Sequence, residues 1–330
     1  MFAPIPIYRC AGIGWKENMP IPISSTDFPP TIWRRVQSNL AILKSRRPLP
    51  KDAVERLRQQ IRLYHTYHSN AIEGNTLTLK ETRLILEQGI TIGGKSLREH
   101  LEVTNNAGGF DWIWKTARPR LRFDHVLLRK LHELVTRGIL EDPGRYRRQQ
   151  VWIGGSAHVP PAPREVPGRL DEMFEELPRI QDPVVRSIYL HHRLVFVHPF
   201  LDGNGRTTRL VANLCLLTAG YPPIVLRVED RRRYYAGLEE ADFGRYKPFA
   251  TFVLRAVDEG LVLFLSAVLP GRALLPLKEL ARGTPYSQEY LSLRVRQGAL
   301  EGVRIGRTWY SSKHALAEYA RSIRSGTRRR

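Results

Sequence analysis

Sulfur and acid are scarce in this chain. Its 330 residues hold two cysteines, Cys10 and Cys215, far apart. Two distant thiols exclude a disulfide framework and a cysteine-built metal cluster, and they suit a reducing compartment, so a cytoplasmic location is expected. Long apolar runs are missing too. The most apolar stretch, LVLFLSAVLP at Leu261–Pro270, is too short to span a bilayer, and no membrane partner is expected. The opening MFAPIPIYRCAGIGWKENMP lacks a basic start followed by a long apolar core, so it does not read as a signal peptide. Acidic residues number 32 against 52 lysines and arginines, a net charge of +20. That excess has two readings, a polyanionic partner such as nucleic acid or nucleotide phosphates, or an arginine-rich composition throughout.

What is present is helical periodicity, and the expected fold class is mainly α. Residues 1 to about 30 read as an extended arm rich in Pro, Ile and Gly. Helical patterns follow at 33–43 and 52–73. Thr78 with Glu81 and Ser96 with Glu99 are capping boxes, predicting helices to about Gly89 and Ala117. Further patterns lie at 124–137, 167–177, 183–197, from the next loop to about 219, and at 229–242 and 247–268. The pattern breaks once, at Gly144–Pro163, where Gly154-Gly155 between two extended segments predicts a β-hairpin, either a plain surface hairpin or a functional flap.

The chemistry concentrates in HPFLDGNGRTTR, His198–Arg209. Gly203, Asn204 and Gly205 stand just before a helical run. Such a turn brings successive amides together as an anion nest, reinforced by the positive end of the helix dipole. Arg206 and Arg209 are three apart on one helical face and can reach one anion. Asp202 beside them is a hard oxygen ligand of the kind magnesium takes when bound to phosphate. His198 is placed to accept a proton from an incoming hydroxyl. A nest, a metal carboxylate, two arginines and a base predict transfer of a phosphorus-centred group to a hydroxyl. The P-loop ending Gly-Lys-Ser/Thr is missing.

The whole string resembles the signature of the Fic family, His-x-Phe-x-Asp/Glu-Gly-Asn-Gly-Arg-x-x-Arg. His198, Phe200, Asp202, Gly203, Asn204, Gly205, Arg206 and Arg209 fill every fixed position. The resemblance implies a helical bundle with a β-hairpin flap, working as an adenylyltransferase. Its substrate is ATP, its cofactor Mg2+ with Mn2+ as the alternative ion, and it places AMP on a Ser, Thr or Tyr hydroxyl of a protein. In that reading His198 is the base and Asp202 holds the metal. The Gly203–Gly205 amides and Asn204 cradle phosphates, and Arg206 and Arg209 bind the β- and γ-phosphates. VWIGGSAHVPPAP resembles the target-docking flap, with Val151, Trp152, Ile153 and His158 as candidates. Tyr234 and Tyr235 match the paired tyrosines that close over adenine, and Asp242 stands where some relatives have asparagine. Ser69, Glu73 and Gly74 match the inhibitory motif Ser/Thr-x-x-x-Glu-Gly/Asn, and the resemblance names Arg209 as the partner of Glu73. Autoinhibited AMP transfer is expected, with removal of AMP from modified protein, or DNA-binding regulation by a weakly active core, as alternatives.

From about Pro270 the pattern changes to short helix, helix, β-wing, helix, resembling winged-helix and excisionase-like modules. Leu277–Arg330 carries twelve Lys/Arg against four Asp/Glu. Arg294 and Arg296 on the second helix, and Arg304 and Arg307 on the wing, are candidate DNA phosphate contacts, and protein contact is the other use of such a module. The expected organisation is 1–110 as an arm and helical region with the inhibitory helix at about 52–74, 111–270 as the catalytic core, and 274–330 as the winged-helix-like domain. Expected partners are a hydroxyl-bearing protein, the chain itself through self-modification, DNA, and a second copy in a homodimer.

Overall fold

The computed structural model describes residues 23–154, 156 and 158–327. Most of the expected arm, residues 1–22, and the closing Arg328–Arg330 lie outside them. The helices are α1 Pro30–Ser45, α2 Lys51–Ile72, α3 Leu79–Gln88, α4 Leu97–Thr116, α5 His125–Thr136, α6 Val166–Glu176, α7 Pro183–Val197, α8 Asn204–Thr218, α9 Arg231–Asp242 and α10 Lys247–Val268. After them come strand β1 Leu275–Pro276, α11 Leu277–Leu280, α12 Gln288–Gln297, β2 Val303–Ile305, β3 Thr308–Ser311 and α13 Lys313–Thr327. The fold is mainly α, as expected.

Local chemistry explains the helix ends. Both capping boxes form: Glu81 N–H donates to Thr78 Oγ1 at 3.2 Å while Thr78 N–H donates to Glu81 at 2.7 Å. Ser96 and Glu99 repeat the exchange at 3.2 and 3.0 Å. α3 stops at Gly89, whose φ of 67° is left-handed. α7 begins where the Asp182 carboxylate accepts the amides of Val184 and Val185.

α7 and α8 pack against each other at the centre, and α2, α4 and α5 close around α8. α4 comes unusually near because Gly109 faces α8. A Cβ there would lie 2.7 Å from Leu210 Cδ1. One apolar core runs from Ile23 to Leu265. The expected division at 110 therefore does not hold, because residue 110 is a buried phenylalanine inside α4 and both sides share that core.

Beyond the change of pattern near 270–274, a second apolar cluster is built on Leu277, Leu280, Leu291, Val295, Leu300 and Leu316. Its elements come in the expected order, with β1 added. The sheet order is β1-β3-β2, antiparallel, with Leu275 opposite Ser311 and Arg304 opposite Trp309. This module docks on the main body. Arg35 donates to Gly298 O at 2.9 Å, Asn39 to Glu301 at 2.9 Å, Arg255 to Arg296 O at 2.6 Å and Arg227 to Arg304 O at 2.7 Å.

One element departs from expectation. Among the described residues no strand forms in 144–163. The segment is extended but unladdered. Pro160, Pro161 and Pro163 have no N–H to donate, so side chains hold it instead: Gln150 bonds Pro160 O at 2.9 Å and Arg147 bonds Pro161 O at 2.5 Å. No described helix is long and apolar enough to cross a membrane.

Candidate active site

His198 is the C-cap of α7 and is held at φ 49°, ψ 61°, a left-handed conformation that is costly for a residue with a Cβ. Its Nδ1 faces the carbonyl of Val195 at 3.3 Å. A carbonyl only accepts, so Nδ1 carries the hydrogen and Nε2 keeps its lone pair. Burial lowers the pKa of this ring below the ordinary value, Arg147 and His158 add to the shift, and Glu73 opposes it. The imidazole is therefore neutral at pH 7, as a base must be.

The turn after it is braced from inside. Phe200 is buried and stacks on His132 with ring centres 3.6 Å apart and planes 2° from parallel. His132 Nδ1 accepts the Gly144 amide at 2.9 Å, so its Nε2–H donates to Asp202 O at 2.9 Å. Burial pushes His132 down to about 4, keeping that tautomer. The Asn204 side chain accepts Phe200 N–H at 2.9 Å and donates to Phe200 O at 2.8 Å. The side chain thus shapes the turn, while the Asn204 backbone amide is one of those at the uncapped start of α8. Gly203, at φ 77°, tolerates no side chain, since a Cβ would meet Thr136 Cγ2 at 2.7 Å. Without a side chain it leaves the first amides of α8 uncapped, open to another acceptor.

Two carboxylates occupy the ground an anion would take. Asp202 Oδ1 accepts the Gly203 amide at 2.5 Å and Arg206 Nη2 at 3.2 Å, and Arg98 pairs with Oδ2. Burial raises its pKa, but Arg206, the amide and Arg98 outweigh this, and the group stays ionised. Arg206, 2% exposed, also pairs with Glu102 at 2.9 Å. Arg209, 3% exposed, donates from Nε to Ser69 Oγ at 2.9 Å and from Nη2 to Ser69 O and Glu73 Oε1, both at 2.8 Å. Glu73 Oε1 stands 2.1 Å from where a Cβ on Gly205 would be, directly over the start of α8. Gly74 follows at φ 99° and turns the chain away. The two arginines thus do not converge on one group: Arg206 is closed onto Asp202 and Glu102, and Arg209 onto Glu73.

The flap candidates separate. Trp152 is 74% exposed and Val151 and Ile153 half-buried. His158 turns inward, donating from Nε2 to Phe196 O at 2.7 Å with its ring 4.0 Å from Phe196. The tyrosines separate as well. Tyr234 is 1% exposed, bonds His191 at 2.8 Å and belongs to the core, whereas Tyr235 is 37% exposed with Arg231 5.3 Å from its ring. Asp242 accepts from His192 at 2.9 Å, and Tyr246 bonds the other nitrogen of that ring at 2.7 Å.

In the C-terminal module Arg296 and Arg307 are exposed. Arg294 lies over Tyr290 at 4.7 Å and donates to Gln297 at 2.9 Å. Arg304 is partly buried: its Nε is out of solvent, its carbonyl accepts from Arg227, and its charge acts on His68 of α2.

Sequence reasoning missed Arg98, Glu102, His132 and Arg147. Arg98 and Glu102 are four apart on α4, a pattern that alone reads as a solvated surface pair. No signal in their own segments marks His132 or Arg147 as belonging to a loop 51 to 70 residues on. A cavity of about 870 Å3 lined by Leu43, Arg47, Trp114, Tyr221 and Phe264 touches none of these residues.

The Fic/DOC family model matches residues 122–216. The protein adenylyltransferase Fic of Nematostella vectensis is 37% identical over 219 residues, 62% of this chain and 48% of that protein. The Aedes aegypti protein of the same name is 36% identical over 269 residues, 77% of this chain and 53% of its own. The chain thus spans about half the length of the curated relatives it matches. Among solved structures, Fic-1 (residues 134–508) from C. elegans aligns with a TM-score of 0.64 and 31% identity, covering 72% of this chain and 71% of that one.

Proposed function

The chain belongs to the Fic/DOC family, and from that premise we propose that it is a protein adenylyltransferase that moves AMP from ATP to a protein hydroxyl and is held back by Glu73. The observation that carries this reading is the neutral His198, whose Nε2 keeps its lone pair because Nδ1 faces Val195 O, in the turn that leads to the uncapped start of α8, where Glu73 Oε1 lies against Gly205. The target hydroxyl gives its proton to Nε2. Its oxygen bonds the α-phosphorus, the bond from that phosphorus to the bridging oxygen breaks, and pyrophosphate leaves. The amides at Gly203–Gly205 and Arg206 and Arg209 offset the phosphate charge. Displacing Glu73 frees Arg209 for the terminal phosphate. While Glu73 stays, the reacting phosphate is misplaced, and about 1 Å of misplacement costs about a hundredfold.

Asp202 fits a metal. It is ionised, side-chain exposure is 37%, and a single carboxylate plus substrate phosphates is how Mg2+ is usually held. Mg2+ bound there would neutralise phosphate charge. Arg98 would then give up Asp202 and keep Glu102. The exposed Trp152 with Val151 and Ile153 serves the target backbone, and exposed Arg296 and Arg307 serve DNA phosphates. Incubating the protein with labelled ATP and Mg2+, then locating AMP by mass spectrometry, tests the reading. AMP on a hydroxyl supports it. No AMP on any protein, with Glu73→Gly included, sinks it. Release of AMP from an already modified protein would reverse the direction.

A further inference from the structure

The last carbonyls of a helix have no partners within it. At the end of α7 every one is accounted for, and the donors come from two places. Leu194 O takes the His198 amide at 3.0 Å, and Val195 O takes His198 Nδ1–H at 3.3 Å. Phe196 O takes His158 Nε2–H at 2.7 Å. Val197 O takes Arg147 Nη2 at 3.5 Å, His198 O takes Arg147 Nε at 2.8 Å, and Pro199 O takes the Arg147 amide at 2.9 Å. Arg147 is 3% exposed, and among the described residues every hydrogen bond its guanidinium donates ends on a carbonyl oxygen. Its remaining bonds reach Gln149 O at 3.1 Å and Pro161 O at 2.5 Å, on the two arms of the flap. A cation at a helix C-terminus is favoured by the dipole, and a planar fork can hold several carbonyls at once where an ammonium cannot.

We propose that Arg147 is a positioning residue: by bonding the carbonyls of His198, Pro199 and Pro161 together, it fixes the base and the target flap in one register, with His158 as a second tie. This rests on the transfer reaction proposed above. The flap, lacking a strand ladder of its own, is carried by the same helix end that carries the imidazole. The cost of the left-handed His198 is offset at the same point, since both carbonyls flanking that residue's ψ and the next peptide are held by Arg147.

Two readouts test this, one without turnover. The His198 ring is titrated by NMR in the wild-type, Arg147→Lys and Arg147→Gln proteins. Removing a cation that opposes the imidazolium raises the midpoint in Arg147→Gln, and Arg147→Lys, which keeps the charge, stays near wild type. An unmoved midpoint in Arg147→Gln overturns the contact. In parallel, self-modification by labelled ATP is measured in the Glu73→Gly background. Arg147→Lys lowers kcat by about a hundredfold while Kd for ATP changes by less than about twofold. Transfer within twofold of the background, or ATP binding lost in step with kcat, overturns the positioning role. If Arg147 variants do not fold, His158→Ala and His158→Gln carry the test. The alanine variant loses transfer, and the glutamine variant, which still has an N–H for Phe196 O, regains most of it. Full activity in His158→Ala overturns the second tie. A Glu73→Gly protein that transfers nothing refutes the function proposed above, while the NMR midpoints still decide the place of Arg147.

Discussion

The loop at 198–209 and the C-terminal module are both arginine-rich, and they treat the residue in opposite ways. In the loop Arg206 and Arg209 are 2% and 3% exposed, each paired with a carboxylate from α2, α4 or the loop itself. In the module Arg296 and Arg307 face solvent, while Arg294 and Arg304 are partly buried, each with its Nε out of solvent. A net charge of +20 says nothing of this difference. A buried arginine on a carboxylate gives up its partner only to another anion, because an unpaired charge inside the protein is costly. Such a pair acts as a lock that phosphate can open. An exposed arginine is available to any polyanion, and salt screens it.

The largest effect is expected at His198. His198→Ala is expected to lower AMP transfer by about a thousandfold or more while ATP binding, measured by calorimetry, stays within severalfold. If ATP binding disappears as well, His198 belongs to the nucleotide seat and not to the chemistry. Next in size is the lock. Glu73→Gly should raise self-modification at least about tenfold, since Arg209 is then free for a phosphate. Equal or lower activity would mean that the pair is structural.

The module offers a smaller contrast. Arg296→Ala and Arg307→Ala should each weaken duplex DNA binding several-fold and reduce the salt slope by about one, whereas Arg304→Ala leaves the slope unchanged. Equal slopes for all three would erase the distinction between outward and inward arginines. The smallest effect is acid sensitivity. Burial pushes His65 and His68 down to about 3 and His132 down to about 4, so they stay neutral when folded. Unfolded, each takes up a proton below about 6.5. Stability is therefore full above that pH and falls as pH drops toward the folded values. The melting temperature should decline steadily from pH 7 to 5, with α2 and α5, which hold these rings, losing amide protection before the module does. A flat profile would show that the histidines are not shielded.

Helix boundaries were legible because their signals are local: Thr78 with Glu81, Ser96 with Glu99 and Gly89 act within four residues. The Glu73–Arg209 lock was legible only through resemblance, since 136 residues separate its halves. Proline hid the flap's true form, because alternating Val151–Ile153 reads as a strand while Pro160 and Pro161 deny it a ladder. Arg304 looked like its neighbours Arg296 and Arg307 in the chain, and only the packing of β2 against α10 sets it apart. Tyr234 and Tyr235 are adjacent and chemically alike, yet the helix turns one into the core and leaves the other at the surface.

Gly205 carries a consequence of its own. A methyl group there and the carboxylate of residue 73 cannot share the same space. Any variant with a side chain at 205 must expel the latch, and so would lose its resting state in the same step that crowds its nucleotide. Under the proposed function, inhibition and catalysis are tied to that one missing carbon.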